Sequence, residues 1–199
     1  MNYYQDITLL PDAEANIGFL CSKVYQQLHI ALVENKTPDK SSAIAVSFPE
    51  YGDKQFPLGN KLRVLANTED QLIKFDTHKW LNRLTDYCHI KSIQPVPDRV
   101  SRYACFKRKP IKSIHNKAKR RAEHLGKPYE EVLAYLLEEN RSGKNTLPFV
   151  NMESQSTSSS TEGKHRFSIF IERVFADGLV VGKFDCYGLS KSSTVPWFD

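Results

Sequence analysis

The sequence has no run of 18 consecutive apolar residues, and its first six residues include an acidic side chain but no basic one. The first absence argues against a transmembrane helix, and the second argues against a secretory signal. The 199 residues are 40% hydrophobic and 26% charged, which is typical of globular proteins. We therefore expect a cytoplasmic protein with no membrane partner, folded as one large domain or two small ones.

The sequence also lacks the residue spacings that bind metals and cofactors. Its four cysteines form no C-x-x-C pair, and its six histidines form no H-E-x-x-H motif. A nucleotide-binding loop of the G-x-G-x-x-G or Walker type is missing as well. Cysteines this far apart are typical of reduced structural thiols, and the histidine spacing predicts no ligand set. We expect neither a metal nor a cofactor.

Acidic residues are absent from residues 99–122, a segment that contains ten lysines and arginines. The net charge of the chain is +5, yet outside this segment 18 basic residues face 23 acidic ones. Helices that merely face solvent usually mix acids and bases, which pair one turn apart. A cationic segment on an otherwise acidic chain predicts a polyanionic partner, and we favour nucleic acid.

Hydrophobic periodicity predicts an α+β protein whose residues 1–97 form the first domain. Apolar residues at helical spacing indicate a helix over residues 16–35. A capping box at residues 68–71 begins a second helix, which carries apolar residues as far as Leu84. Alternating and β-rich segments predict four strands, at residues 3–10, 43–48, 62–64 and 89–96. The resulting order βαββαβ is that of ferredoxin-like domains.

Residues 98–199 are predicted to form a smaller α+β domain that contains a basic helix. Pro110 and Gly126 bound this helix, and Pro128 begins another. A hydroxyl-rich segment at residues 154–161 predicts a loop. Three strands are expected, at residues 147–153, 165–173 and 179–187.

The basic helix carries Lys112, His115, Lys119 and Arg120 over much of one face. Such a face can enter the major groove of B-form DNA, whereas regular A-form RNA hides its deep groove except near ends and loops. A short RNA hairpin is therefore also a possible target. The chain lacks the basic-glycine-aromatic signature of RNA-recognition modules, so stacking of bases on the first sheet is not predicted.

His29 lies at the edge of the apolar face of the first predicted helix. A histidine in this position is either a boundary residue of the core or a general base. Metal-free RNA cleavage requires a base, because a 2′-hydroxyl must lose its proton to attack the adjacent phosphate. Histidine titrates in the useful range, but its position alone favours the boundary residue.

Five parts of the chain, taken in order, resemble one family. They are residues 27–32, 46–49, 100–102, 147–150 with 154–156, and 186–191 with 195–198. Together they resemble the CRISPR-associated endoribonuclease of subtype I-F systems, the Csy-type member of the Cas-six family. The resemblance runs from the first strand to the C-terminus.

The resemblance implies a fold and an activity. A ferredoxin-like domain would carry the catalytic histidine, and a second domain would insert its basic helix into the groove of a repeat hairpin. The enzyme would cleave CRISPR precursor RNA at the 3′ base of that hairpin by metal-independent 2′-hydroxyl attack, leaving a 2′,3′-cyclic phosphate. It would remain bound to the mature guide RNA among other subunits of a type I-F surveillance complex. The alternatives are a non-cleaving subunit that caps the guide-RNA hairpin and a DNA-binding regulator.

The resemblance also implies roles for individual residues. His29 would be the catalytic base, Ser154 would position the 2′-hydroxyl, and Tyr187 would orient the histidine. The residues implied in RNA binding are Arg102, Lys107, Arg108, Lys112, His115, Lys119, Arg120, Gln155, Ser156 and Phe167.

Two of these RNA-binding positions carry a qualification. The family's glutamine two positions after Arg102 has no counterpart, since Ala104 stands there, and we expect Lys107 or Arg108 to read that base pair instead. Phe167 would stack beneath the terminal base pair or, alternatively, point inward from its strand.

Overall fold

The computed structural model describes residues 1–110, 114–141, 147–154 and 165–198, with the side chains of 140 and 141 left out. It is an α+β protein with antiparallel sheets, as predicted. The chain divides into two compact units, one formed by Met1–Arg108 with Pro148–Asp199 and the other by Lys109–Leu147. The predicted division into residues 1–97 and 98–199 stays a prediction.

The first sheet lies in the larger unit. Strands β2, β3, β1 and β4 follow one another across it in that order, all antiparallel, and β5 also pairs with β1. Their bounds are β1 Tyr3–Leu9, β2 Ala45–Ser47, β3 Lys61–Ala66, β4 Cys88–Ile90 and β5 Gln94–Pro95. The four predicted strands of the N-terminal region are confirmed, although the last one is split in two.

Helix α1, Ile17–Glu34, confirms the helix expected over residues 16–35. The Asn16 side chain accepts a hydrogen bond from the Phe19 N–H, which satisfies a donor that the helix itself leaves free. Val24, Leu28 and Leu32 are buried on the face that packs into the main core. This packing fixes the rotation of α1 about its axis, and with it the direction in which His29 points.

The second predicted helix is divided into α2, Glu69–Phe75, and α3, Thr77–Trp80. The capping box of Thr68 and Gln71 is present as expected. The break occurs at Asp76, whose backbone is left-handed, with φ 49°. Asp76 ends α2 and its carboxylate accepts the Lys79 N–H, which begins α3. A single helix through residue 84 was therefore the wrong expectation.

The second sheet contains two strands that the sequence analysis missed. Its order is β7, β8, β6, β9, with bounds β6 Arg102–Lys109, β7 Phe149–Glu153, β8 Arg166–Ala176 and β9 Val195–Trp197. The strand expected at residues 179–187 is not formed. Leu179, Val180 and Val181 are exposed, Val181 at 85%, so this apolar run does not enter the core, and only Phe184 makes an isolated bridge, to Ser42.

The smaller unit contains helices α4, Ile114–Leu125, and α5, Tyr129–Arg141. Ala118 and Ala122 of α4 pack against Val132 and Leu136 of α5. The helices end and begin near Gly126 and Pro128, as predicted. Within the described ranges, no helix is both long and apolar enough to cross a membrane.

A buried ion pair ties the C-terminus to the first sheet. Arg63 is 1% exposed, and its Nε lies 2.6 Å from Asp6 Oδ1. Its Nη1 donates to the Phe198 carbonyl oxygen at 2.8 Å, and its guanidinium carbon lies 3.9 Å from the centre of the Phe198 ring. The guanidinium therefore links β1, β3 and Phe198.

Replacing Arg63 with methionine is expected to lower the free energy of unfolding by about 3–5 kcal/mol, because it leaves a buried carboxylate without its partner. Urea unfolding measures the change. The exposed Arg83 provides a control, since Arg83→Met should change stability by less than about 0.5 kcal/mol. A loss below about 1 kcal/mol in Arg63→Met would contradict this account of the ion pair.

Candidate active site

His29 is held in one tautomer by a backbone group far away in the chain. Its Nδ1 lies 2.7 Å from the Cys186 carbonyl oxygen. A carbonyl oxygen only accepts, so Nδ1 carries the proton and donates it. The Nε2 atom then presents a lone pair that can accept a proton. The imidazole is half-buried, so it is fixed by packing and still reachable.

Tyr187 stacks on the imidazole. The two ring centres lie 4.2 Å apart and their planes differ by 8°. The Tyr25 hydroxyl of α1 donates to the Tyr187 carbonyl oxygen at 2.8 Å, which anchors the stacked residue to the helix that carries His29. The Arg108 guanidinium carbon lies 5.0 Å from the centre of the Tyr187 ring. Arg108 is thus the cation next to the stack.

The Cys186–Tyr187 segment is shaped by a turn that the sequence encodes locally. The Asp185 carboxylate accepts the N–H groups of Tyr187, at 2.8 Å, and Leu189, at 3.0 Å. Gly188 has φ +71°, and its carbonyl oxygen accepts the Val46 N–H at 2.9 Å. Aspartate at the start of a turn and glycine where φ is positive are typical turn residues.

Burial dominates the electrostatics of the site. It lowers the pKa of His29, and the nearby positive charge of Arg108 lowers it further, against the opposing effects of the Cys186 hydrogen bond and Asp185. Burial also raises the pKa of Tyr187. A lowered pKa favours the neutral imidazole, which is the form that can accept a proton.

Ser154 follows β7 directly. Its N–H donates to the His165 carbonyl oxygen at 2.9 Å, which continues the pairing of β7 with β8. Strand β7 also contacts α1, where the Asn151 N–H donates to the Ser22 hydroxyl oxygen at 3.1 Å. Ser154 is therefore the residue that follows β7, a strand hydrogen-bonded to the helix that carries His29. Gln155 and Ser156 lie outside the described residues.

The residues expected to bind RNA are spread over both units. In the larger unit, Arg102 begins β6 and its guanidinium carbon lies 5.0 Å from the Phe175 ring centre. Lys107 lies near the end of the same strand. Phe167 of β8 is half-buried and packs against the core, as expected if its side chain points inward from the strand. Its stacking beneath a base pair stays a prediction.

In the smaller unit, Lys119 and Arg120 are exposed on α4. His115 Nδ1 lies 2.8 Å from the Tyr129 hydroxyl of α5, so this histidine has a partner within its own unit. Lys112 lies outside the described residues.

Sequence reasoning missed two features of the site. One is the Cys186 carbonyl that sets the tautomer of His29, and no residue type signals a backbone acceptor. The other is the position of Arg108 beside Tyr187. Asp185 and Gly188 are typical turn residues, but the sequence analysis predicted a strand through residue 187 and missed the turn that brings Tyr187 to α1. In the described part of the chain, no group of three or more histidine, cysteine or acidic side chains could hold a metal ion.

The fold and the site together define an α+β protein with a half-buried histidine, which stacks on a tyrosine and bonds to a backbone carbonyl through Nδ1, leaving Nε2 to accept a proton. The model of the family described as CRISPR-associated protein (Cas_Csy4) matches residues 4–198, and the chain belongs to this family. This confirms the resemblance inferred from the sequence.

Two curated relatives align over their whole length with this chain. The CRISPR-associated endonuclease Cas6/Csy4 of Escherichia coli (strain UTI89 / UPEC) is 32% identical over 201 residues, covering 100% of both chains. The protein of the same name from Pseudomonas aeruginosa (strain UCBPP-PA14) is 34% identical over 202 residues, again covering 100% of both.

Proposed function

We propose that the chain is an endoribonuclease that cleaves CRISPR precursor RNA at the 3′ base of the repeat hairpin. It would leave a 2′,3′-cyclic phosphate and remain bound to the mature guide RNA. The observation that carries this proposal is the tautomer of His29, whose Nδ1–H is bonded to Cys186 so that Nε2 can take a proton. The two relatives, both named as endonucleases, support it.

The proposed reaction requires no metal. Nε2 of His29 takes the proton of the 2′-hydroxyl, and the resulting oxygen forms a bond to the adjacent phosphorus. The bond from phosphorus to the 5′-oxygen of the next nucleotide breaks, and that oxygen takes a proton from solvent. Ser154 holds the 2′-hydroxyl in line, and Tyr187 keeps the imidazole in its plane. General-base catalysis of this kind contributes typically ~10²- to 10⁴-fold.

The proposed architecture is a ferredoxin-like domain over residues 1–97 followed by an RNA-binding domain over 98–199. The first part is supported by the strand order β2-β3-β1-β4 with helices between the strands in sequence. In the second part, we propose that the exposed cations of α4 enter the groove of the hairpin. Arg102 and Lys107 of β6, with Phe167 of β8, would contact the hairpin near its base.

The cellular setting is part of the same proposal. The product complex would assemble with other subunits of a type I-F surveillance complex in the cytoplasm. Membership of a CRISPR-associated family supports this setting.

The direct test of the proposed function is to incubate the chain with the repeat hairpin RNA of its own genome and identify the product ends. The expected result is one cut at the 3′ base of the stem, with a 2′,3′-cyclic phosphate on the upstream product. Tight binding without a cut would contradict the proposal and support a hairpin-capping subunit. Equal affinity for duplex DNA would support a regulator.

Binding of the hairpin is expected to weaken steeply with salt. If six cations of the basic segment neutralise phosphates, log Kd against log salt should have a slope of about 4 to 5. Replacing both Lys119 and Arg120 with glutamine should reduce that slope by about 2. Lys127→Gln is the control, because Lys127 already pairs with Glu131. Filter binding from 50 to 300 mM salt measures the slopes, and an unchanged slope in the double variant would contradict the role of α4.

Cleavage at subsaturating enzyme is expected to rise with pH to a plateau, with its midpoint below the usual histidine pKa of 6.5. Only neutral His29 accepts the proton, so activity is full above the midpoint and is lost as pH falls through it. Because Arg108 helps to lower the pKa of His29, Arg108→Gln should move the midpoint upward. Arg83→Gln, at an exposed position, should not. A midpoint above 7 in the unaltered protein would contradict this account.

A further inference from the structure

Gln26 bonds to both backbone groups of the residue that precedes Ser154. Its Oε1 accepts the Glu153 N–H at 2.8 Å, and its Nε2 donates to the Glu153 carbonyl oxygen at 3.2 Å. Gln26 lies on α1, three residues before His29, and is 8% exposed. The side-chain amide of Gln26 thus offers Glu153 one acceptor and one donor, the same two hydrogen bonds that a neighbouring strand would make.

Strand β7 needs these hydrogen bonds because it is the last strand of its sheet. Its pairing with β8 uses one edge, and among the described residues no strand pairs with the other. The Asn151 and Glu153 N–H groups turn toward this edge, where Ser22 and Gln26 of α1 accept them. Backbone polar groups that packing shields from water need partners, and α1 supplies them for the Asn151 N–H and for both backbone groups of Glu153.

Helix α1 and strand β7 rise by similar distances between their two successive contacts. Four residues of a helix rise about 6 Å, and two residues of a strand rise about 6.8 Å. Ser22 is therefore matched with Asn151, and Gln26 with Glu153. The next part of the helix in the same direction carries His29, and the next residue of the strand is Ser154.

Ser154 is thus held from two sides. Its own N–H is bonded to His165, and the peptide unit before it is fixed by Gln26. Both His29 and Ser154 stand next to the pair formed by Gln26 and Glu153. The buried amide of Gln26 is too enclosed to contact RNA itself, so any effect it has on cleavage passes through the backbone at Glu153.

We infer that Gln26 is a positioning residue, which fixes the distance between Ser154 and the His29 base for the cleavage reaction. This inference rests on the proposed function. It goes beyond it by assigning a role to a residue outside the catalytic set.

The test is a double-mutant cycle between Gln26 and Ser154. Gln26→Met keeps the length of the side chain and removes both hydrogen bonds. It is expected to slow single-turnover cleavage of the repeat hairpin by 10- to 100-fold, with hairpin Kd within threefold of the unaltered protein. In the Ser154→Ala background, the same substitution should slow cleavage by less than threefold.

Two further variants test whether the slower cleavage in Gln26→Met comes from a general loss of structure. Gln26→Glu keeps the acceptor for the Glu153 N–H, so it should recover at least part of the lost rate. Ser22→Ala removes the neighbouring hydrogen bond, one turn before Gln26 and about two turns before His29, and should slow cleavage by less than threefold. Thermal unfolding and hairpin affinity are measured for each variant.

Amide hydrogen exchange by mass spectrometry gives a readout that does not depend on activity. Gln26→Met should speed exchange at residues 150–154, in and just after β7, and leave exchange in α1 unchanged. If the Ser154→Ala variant cleaves too slowly to measure, hydrogen exchange alone tests the role of Gln26. Unchanged exchange at residues 150–154 would overturn the inference.

The outcomes of the cycle separate the inference from the function beneath it. No cleavage by the unaltered protein overturns the proposed function and the role of Gln26 with it. Cleavage by the unaltered protein, with Gln26→Met equally harmful in both backgrounds or harmless in both, overturns the role of Gln26 alone.

Discussion

Replacing His29 with alanine is expected to slow cleavage of the repeat hairpin by ~10²- to 10⁴-fold, the contribution of a general base. The reason is that we propose Nε2 as the atom that takes the 2′-hydroxyl proton, because Nδ1 already donates to the Cys186 carbonyl oxygen at 2.7 Å. Hairpin affinity should stay within threefold, because the proposed binding surface consists of other residues. Single-turnover cleavage and equilibrium binding measure the two effects separately.

His29→Asn is the matched control for the loss of the ring. Its side-chain amide is about the right length to keep a donor near Cys186, but it has no basic nitrogen. It should therefore be nearly as inactive as His29→Ala and at least as stable. A collapse of affinity in either variant, or substantial cleavage by His29→Asn, would show that His29 is a binding or packing residue.

Replacing Gly188 with alanine is expected to damage both stability and cleavage. A Cβ at this position would lie 2.5 Å from Val46 Cγ2 and 2.9 Å from the Val46 nitrogen, and Gly188 has φ +71°. Left-handed alanine costs about 1–2 kcal/mol, and losing the bond from the Val46 N–H costs about 1–3 more. We expect the free energy of unfolding to fall by about 2–5 kcal/mol.

The effect of Gly188→Ala on cleavage follows from the position of the turn. Displacing Gly188 moves Cys186 and Tyr187, which fix the tautomer and the plane of His29, so the folded fraction should cut at least tenfold more slowly. Gly178→Ala is the control, because a Cβ there meets nothing within 4 Å. Urea unfolding and cleavage well below the unfolding transition measure both effects. Stability equal to that of Gly178→Ala would contradict the close approach of Gly188 to β2.

The parts of the fold that were predictable have strong local signals. Helix α1 has a regular apolar face and an asparagine cap, and the capping box at Thr68 marks α2. The break at Asp76 was not predictable, because apolar residues continue past it and only the backbone conformation of one residue divides the helix.

The second sheet was harder to predict, because its signals conflict. Strand β6 was missed because it lies in the cationic segment and buries three consecutive residues, Ala104, Cys105 and Phe106, rather than alternating. The strand predicted at residues 179–187 was wrong for the opposite reason. They are apolar at Leu179–Val181, yet these side chains are exposed, and burial rather than composition decides whether a run becomes a core strand.

The residue types of the candidate site were predictable from the sequence, but their arrangement in space was not. The sequence and its family resemblance named His29 and Tyr187, and the structure stacks their rings. The Cys186 carbonyl was not predictable, because it is a backbone group 157 residues away from its partner. Arg108 was expected to read a base pair, and its place beside Tyr187 gives it an electrostatic effect on His29 as well.

We propose that this chain cleaves RNA by attack of the 2′-hydroxyl, with His29 as the base and without a metal. The most direct test is cleavage of the repeat hairpin in excess EDTA, beside a copy with one 2′-deoxy sugar immediately upstream of the cut. We expect an undiminished cut in the first RNA, and tight binding without a cut in the second. Loss of cleavage in EDTA, or cutting of the 2′-deoxy RNA at the same position, would contradict it.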